Sequence, residues 1–183
     1  MDFNGTPINV TLKRTKEGPF TEAATLHFVI MDAPAPSTMP TYIQQLQRHK
    51  VKHLVRVCDK TYRTDVLDMA NINHMACPFD DGTNPPQSVV DQWLQLIDSE
   101  IEQRGTDGRV ATIAIHCLAG LGRAPILVAL ALVEYAEYQP LDAVGYIRER
   151  RTGAINDVQL KYIIKYVPRW KKSSPLDLCC KVM

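Results

Sequence analysis

The chain has 183 residues, 45% of them hydrophobic, with 21 Lys and Arg against 20 Asp and Glu. That length and apolar content suit one globular domain whose core needs no staples, and a net charge of +1 argues against a generally basic nucleic-acid binder. No apolar run approaches the length that spans a bilayer, and the first residues lack the basic and apolar regions of a signal peptide; five cysteines, at 58, 77, 117, 179 and 180, form no disulfide framework. Together these predict a protein of a reducing, cytoplasmic compartment.

Ile8 to Leu12 and Thr25 to Ile30 read as two strands of a hairpin, with a Lys- and Gly-containing turn between them. Pro34 to Pro40 is turn material, and Ser37 or Thr38 is placed to cap a helix carried by Tyr42, Ile43 and Leu46 up to Lys50. A strand follows from His53 to Cys58. Asp59 to Asp68 reads as a loop or a short helix, and Asn71 to Met75 as another short strand. Cys77 to Gly82 is punctuated by Pro and Gly and is expected to be a mobile acidic loop.

Val89, Val90, Trp93, Leu94, Ile97 and Ile101 repeat at helical spacing, so an amphipathic helix is expected to about Gln103, closed by Gly105, with Trp93 in the core. Val110 to Ile115 is short and almost continuously apolar, as in a strand buried on both faces, and Ile126 to Val133 predicts a helix apolar nearly all round. Further helices are expected over about Leu141 to Arg150 and Val158 to Val167, joined through Gly153 to Asn156. The alternation predicts an α/β fold: a single domain whose central, mostly parallel sheet is flanked by helices, with the functional loop at a strand's carboxyl end. The domain is drawn over residues 1–172, followed by a flexible tail over 173–183.

Ile113 to Pro125 organises the chain. An apolar strand runs into a loop that holds Gly120 and Gly122, and Cys117 and Arg123 bracket it. The N–H groups from Leu118 to Arg123 (Leu118, Ala119, Gly120, Leu121, Gly122, Arg123), the positive end of the next helix and the guanidinium would then converge on a tetrahedral oxyanion. The same field favours the Cys117 thiolate. An anion pocket with a nucleophile at its floor points to phosphoryl transfer: in-line attack on a phosphate monoester, a phosphocysteine intermediate, then hydrolysis. Arg123 would bind two phosphate oxygens. His116 reads as a positioning residue, with its ring bonded to backbone behind the loop. The leaving oxygen needs a proton, for which Asp80 and Asp81 are the candidates. No metal site is expected, because His116 and Cys117 lack a second ligand pair, and no cofactor is expected either.

Cys180-Lys181-Val182-Met183 matches the C-a-a-X prenylation pattern, with the terminal Met favouring farnesyl and Lys181 departing from the usual aliphatic residue. Cys179 is either a second acylation site or a bystander. One lipid chain binds marginally, so the basic stretch from Arg148 to Lys172 would add attraction to anionic headgroups; by charge pattern alone it reads equally as a solvated helix face.

The loop from His116 to Pro125, the stretch Val55 to Cys58, the loop Pro78 to Gly82, the turn Gly153 to Asn156 and the Cys180 tail together resemble the prenylated PRL (phosphatase of regenerating liver, type IVA) protein tyrosine phosphatases. These are cysteine-based enzymes of the dual-specificity superfamily. The resemblance implies Cys117 as nucleophile, Arg123 as phosphate-binding arginine, Asp81 as general acid and Asp80 as its neighbour. It implies a reversible disulfide between Cys58 and Cys117 that protects the nucleophile from over-oxidation. Ala124 stands where wider relatives carry a hydroxyl that helps the thiolate leave, which implies slow turnover. Cys77 stands where the acid loop usually begins with Trp.

Three functions follow. The first is a membrane-tethered tyrosine or dual-specificity phosphatase acting on phosphoproteins, peripheral on plasma or endosomal membranes. The second is a regulator that binds CNNM-type magnesium transporters through their CBS-pair domains, as the resemblance implies, switched by phosphorylation or oxidation of Cys117. A phosphoinositide phosphatase ranks lowest, since Leu118, Ala119 and Leu121 supply no lysine to the loop. For membrane-packed forms the resemblance implies a homotrimer.

Overall fold

The computed structural model describes residues 3–22, 24–104 and 109–172. Gly105, Cys179, Cys180 and the rest of the 173–183 tail lie outside them. In chain order the elements are β1 (Gly5–Thr11), the short pair β2 (Arg14–Thr15) and β3 (Gly18–Pro19), β4 (Thr25–Met31), α1 (Met39–Arg48), β5 (Val51–Arg56), α2 (Asp65–Met69), β6 (Asn73–Ala76), α3 (Gln87–Glu102), β7 (Thr112–His116), α4 (Arg123–Tyr135), α5 (Pro140–Arg150), α6 (Asp157–Lys165) and α7 (Arg169–Lys172). The main sheet has the order β1-β4-β7-β5-β6. β1 and β4 pair antiparallel as expected, but the β2–β3 ribbon lies between them in the chain where a simple turn was read, while β4, β7, β5 and β6 pair in parallel.

Strand alternation sorts the core into two layers. Leu26, Phe28 and Ile30 of β4 and Ile113 and Ile115 of β7 face α3, α4 and α5; Val29 and Met31 of β4 and Ala114 of β7 face α1 and α2. β7 is therefore covered on both sides, which is why its sequence is continuously apolar. α4 is buried along its whole length, as its all-round apolar pattern predicts. Trp93 is fully buried and its Nε1 donates to Leu127 O at 2.7 Å, so α3 and α4 are locked by packing and by one directed bond.

Several boundaries differ from expectation. β5 ends at Arg56, two residues before Cys58, although Val57 N still donates to His116 O at 3.0 Å. α4 begins at Arg123 rather than Ile126, so the arginine lies in the first helical turn. Thr38 occupies the N-cap of α1, but its side chain does not cap it: Oγ1 accepts from Ala35 N at 3.0 Å and donates to Ala35 O at 3.2 Å, closing the preceding turn.

The basic stretch is not one solvated face. Arg151 is buried, Arg148 donates to Ala154 O and Ile155 O at 3.0 and 2.7 Å, and Arg169 pairs with Asp98 at 2.8 Å. Arg150, Lys161, Lys165 and Lys171 remain exposed.

Candidate active site

The site lies at the carboxyl ends of β7 and β5, where the main chain leaves the sheet. Its central feature is the direction of the loop carbonyls after Cys117. Leu118 O accepts from Ala33 N at 2.9 Å, and Ala119 O from Arg151 Nη2 at 3.1 Å. Gly120 O accepts from Arg151 Nε at 2.6 Å, Leu121 O from Ile155 N at 2.7 Å, and Gly122 O from Ile126 N at 3.1 Å. Four consecutive carbonyls are thus tied to the surrounding scaffold, and the fifth opens α4. Among the described residues, no protein acceptor takes an N–H from Leu118 through Gly122. Those donors are left to line a concave anion nest at the N-terminus of α4. The Leu118 and Leu121 side chains point to solvent, which is affordable because the loop is held by backbone rather than by side-chain burial.

Gly120 is required by two independent constraints. Its φ is +70°, and a Cβ there would come within 2.6 Å of Met31 O and also strike Arg151. Arg151 itself reaches from α5's end through the loop to the N-terminal strand, donating to Thr6 Oγ1 at 2.9 Å and Asn4 O at 3.2 Å. Neither Arg151 nor its role was visible in the sequence, where it sits inside a basic run; only its burial distinguishes it.

Cys117 is buried at the floor of the nest, directly after β7. Arg123 is also buried and donates from Nη1 to Phe79 O at 3.1 Å, while its Nε lies 3.1 Å from Asp81 Oδ1. The second contact is a charge pairing rather than an aligned hydrogen bond, since Nε has no acceptor in bonding geometry. The structure therefore brings Cys117, Arg123 and Asp81 to one place. Asp80 is exposed; its carbonyl, not its carboxylate, has a bond, from Thr83 Oγ1 at 2.8 Å.

The acid loop is held from α6. Asn156 and Gln159 form a capping box at that helix's start. Asn156 Nδ2 also donates to Gly82 O at 3.1 Å, and Gln159 Nε2 to Thr83 O at 3.2 Å. Ile155, just before the cap, is the residue that bonds Leu121 O. One turn thus touches both loops. Cys77 is buried and burial pushes its thiol up to about 11, so it is a small neutral core residue at the position where the resemblance puts Trp in relatives.

His116 is fully buried, and desolvation pushes its pKa down to about 4. Its neutral ring places Nδ1 3.3 Å from Cys117 O, and Nε2 2.7 Å from Tyr62 Oη. The backbone contact matches expectation; Tyr62 was not anticipated, because it comes from a loop with no periodic signal. The tautomer that satisfies both partners donates from Nδ1 and accepts the Tyr62 hydroxyl at Nε2. Cys58 Sγ lies 3.9 Å from His116 Nδ1, and burial raises its thiol pKa against the opposing pull of the Arg123 charge. Arg56, also buried, donates to Cys58 O at 2.5 Å. Cys58 and Cys117 are both free thiols. Ala124 is fully buried in the first turn of α4. Among the described residues there is no cluster of three or more metal-ligating side chains.

Comparison with known proteins places this geometry. The dual specificity phosphatase catalytic domain family matches residues 35–167. Protein tyrosine phosphatase PRL-1 of Trypanosoma cruzi is 45% identical over 172 residues, covering 94% of this chain and 95% of the relative. The chain belongs to the PRL family of protein tyrosine phosphatases. Protein tyrosine phosphatase type IVA 3 of Homo sapiens is 41% identical over 145 residues, 79% of this chain and 80% of the relative. A solved putative protein tyrosine phosphatase from Leishmania major superposes with a TM-score of 0.76 at 47% identity, covering 90% of this chain and 99% of that one. This PRL-family chain therefore has the α/β cysteine-phosphatase fold and is a protein tyrosine phosphatase.

Proposed function

We propose that the protein hydrolyses phosphomonoesters on phosphoproteins through a phosphocysteine at Cys117, turns over slowly, and works at a membrane to which Cys180 tethers it by a prenyl group. The observation that carries the catalytic reading is the set of four outward-tied carbonyls from Leu118 to Leu121, which leaves the loop N–H groups and Arg123 preorganised for a phosphate above Cys117. The phosphate displaces the Asp81 carboxylate from the guanidinium. Released from the guanidinium, Asp81 takes a proton from solvent; Cys117 Sγ then bonds to phosphorus as the ester P–O bond breaks, and Asp81 delivers that proton to the leaving oxygen. Water then attacks phosphorus, the P–S bond breaks, Asp81 takes the water's proton, and inorganic phosphate leaves.

Ala124 supports slow release, because no hydroxyl at the start of α4 stabilises the departing thiolate. This same property favours a second reading, in which a long-lived phosphorylated or oxidised Cys117 controls docking to a CNNM-type magnesium transporter. The free Cys58 and Cys117, both beside His116, support a disulfide as the oxidised state. The exposed apolar Leu118 and Leu121 at the rim suit a peptide better than an inositol headgroup, which keeps phosphoinositide hydrolysis last.

Rapid-quench kinetics with intact-mass detection of phosphorylated Cys117 test the reading. A fast burst followed by slow decay is expected, and Ala124→Ser should hasten the decay about tenfold with little change in the burst. A steady-state rate unaltered by Ala124→Ser would count against slow hydrolysis as the limit. For the tether, a Cys180→Ser protein should leave the membrane fraction; its retention there would sink the lipid anchor.

A further inference from the structure

A cavity of about 480 Å³ opens at the other end of the sheet, lined by residues that include His27, Lys50, Lys52, Glu100, Arg104 and Arg109. Thr112, at the start of β7, also borders it. The strand from there to Cys117 is about 17 Å long at 3.3 Å per residue, so this space is no part of the catalytic site. Among the described lining residues, four permanent cations surround one carboxylate. That carboxylate, Glu100, is buried and already bonded by Lys52 Nζ at 2.8 and 2.9 Å and by His53 Nε2 at 2.8 Å. Arg104 donates to Ile101 O at 2.9 Å, which offsets the negative end of α3 where it meets the cavity, and to Glu22 Oε2 at 3.2 Å, so Lys52 and Arg104 each already hold a carboxylate.

The backbone shows how the lysines arrive there. Lys50 follows the C-cap of α1 with φ +54°, a position that Gly or Asn fills with less strain. The β5–β7 ladder shifts register between Val51 and His53, so Lys52 sits on an irregularity of the strand. Left-handed non-glycine residues and bulges concentrate where side chains are aimed at ligands. Here two of them, two residues apart, each bring a cation to the same cavity.

We propose that this cavity is a second anion site, which binds a molecule or headgroup carrying two or more phosphate groups. Cations from β5, the α1–β5 turn, the end of α3 and the segment before β7 surround the space, an arrangement that rewards several phosphates held together more than one alone.

The catalytic loop also binds anions, so the test must resolve the site. ¹⁵N-labelled full-length protein is titrated with sodium tripolyphosphate and, separately, with phosphatidylcholine vesicles containing phosphatidylinositol bisphosphate. Amide shifts are expected at Lys50 to Lys52 and Arg109 to Thr112, besides any at Leu118 to Arg123. Lys50→Asn, which tolerates the left-handed backbone, should weaken binding at this site about fivefold and Lys50→Glu more than tenfold. Neither change should alter hydrolysis of p-nitrophenyl phosphate. A Lys50-dependent response to tripolyphosphate alone assigns a soluble ligand, and one to vesicles alone a lipid headgroup; both sustain the site. A response confined to Leu118 to Arg123, or one that Lys50→Glu leaves unchanged, overturns it.

Discussion

The two loops that meet at Cys117 are held in different ways. The catalytic loop has every carbonyl from Leu118 to Gly122 bonded, four of the five to partners outside the loop and α4: the chain after β4, Arg151 and the turn before α6. The acid loop is docked by side-chain bonds of 3.1 to 3.2 Å from Arg123, Asn156 and Gln159, after one backbone bond at Cys77. A cradle for charge gains from being rigid before substrate arrives, since it then needs no reorganisation in the transition state. In the proposed mechanism the Asp81 proton donor approaches and withdraws, and a few side-chain bonds suit that role.

Asp81→Asn should break the division most clearly. Phosphoenzyme formation from poor leaving groups is expected to fall about 10² to 10³-fold, with little change for p-nitrophenyl phosphate, as measured by burst kinetics on both substrates. An equal loss on the two would mean that Asp81 holds Arg123 instead of donating a proton.

Arg151→Met tests the rigid half. Freeing Ala119 O and Gly120 O should misdirect the N–H nest and lower kcat/KM about 10²-fold for both substrates alike, with vanadate affinity falling in parallel. Unchanged vanadate binding would show that the loop holds its shape without Arg151.

His116 links the loop to stability. Its folded pKa of about 4 lies below the ordinary 6.5, so the unfolded chain binds the extra proton between those values and stability rises with pH across that window. Between pH 7.5 and 5 this group should remove about 2 kcal/mol of unfolding free energy. Urea titrations at both pH values should show that loss in the wild type and a smaller one in His116→Gln.

The smallest effect belongs to Asn156→Ala. It removes both the α6 cap and the bond to Gly82 O, so a two- to fivefold loss in the acid-dependent step is expected, together with about 1 kcal/mol of stability. Asn156→Asp keeps the cap but loses the donor to Gly82. It should restore the stability without the rate.

The chemistry was legible in the sequence because it depends on near neighbours. Cys117, two loop glycines and Arg123 sit within seven residues, and a strand before and a helix after them are signalled by local apolar patterns. The α/β class, the buried β7 and the all-round burial of α4 follow from the same periodicity. Asp81, more distant in the chain, rested on family resemblance for its choice over Asp80, and the Arg123 contact separates the two physically.

What depends on chain segments far apart could only be decided by the tertiary structure. Arg151 contacts the catalytic loop 31 and 32 residues away and Thr6 145 residues away, and in sequence it is one more cation in a basic run. Tyr62 reaches His116 across 54 residues. Asn156 and Gln159 look like an ordinary helix cap until Gly82 and Thr83 are brought beside them. A motif states which groups can do the chemistry, since reactivity is a property of the side chains themselves. Which groups hold them still is a matter of burial and distance, and those exist only after the sheet has formed.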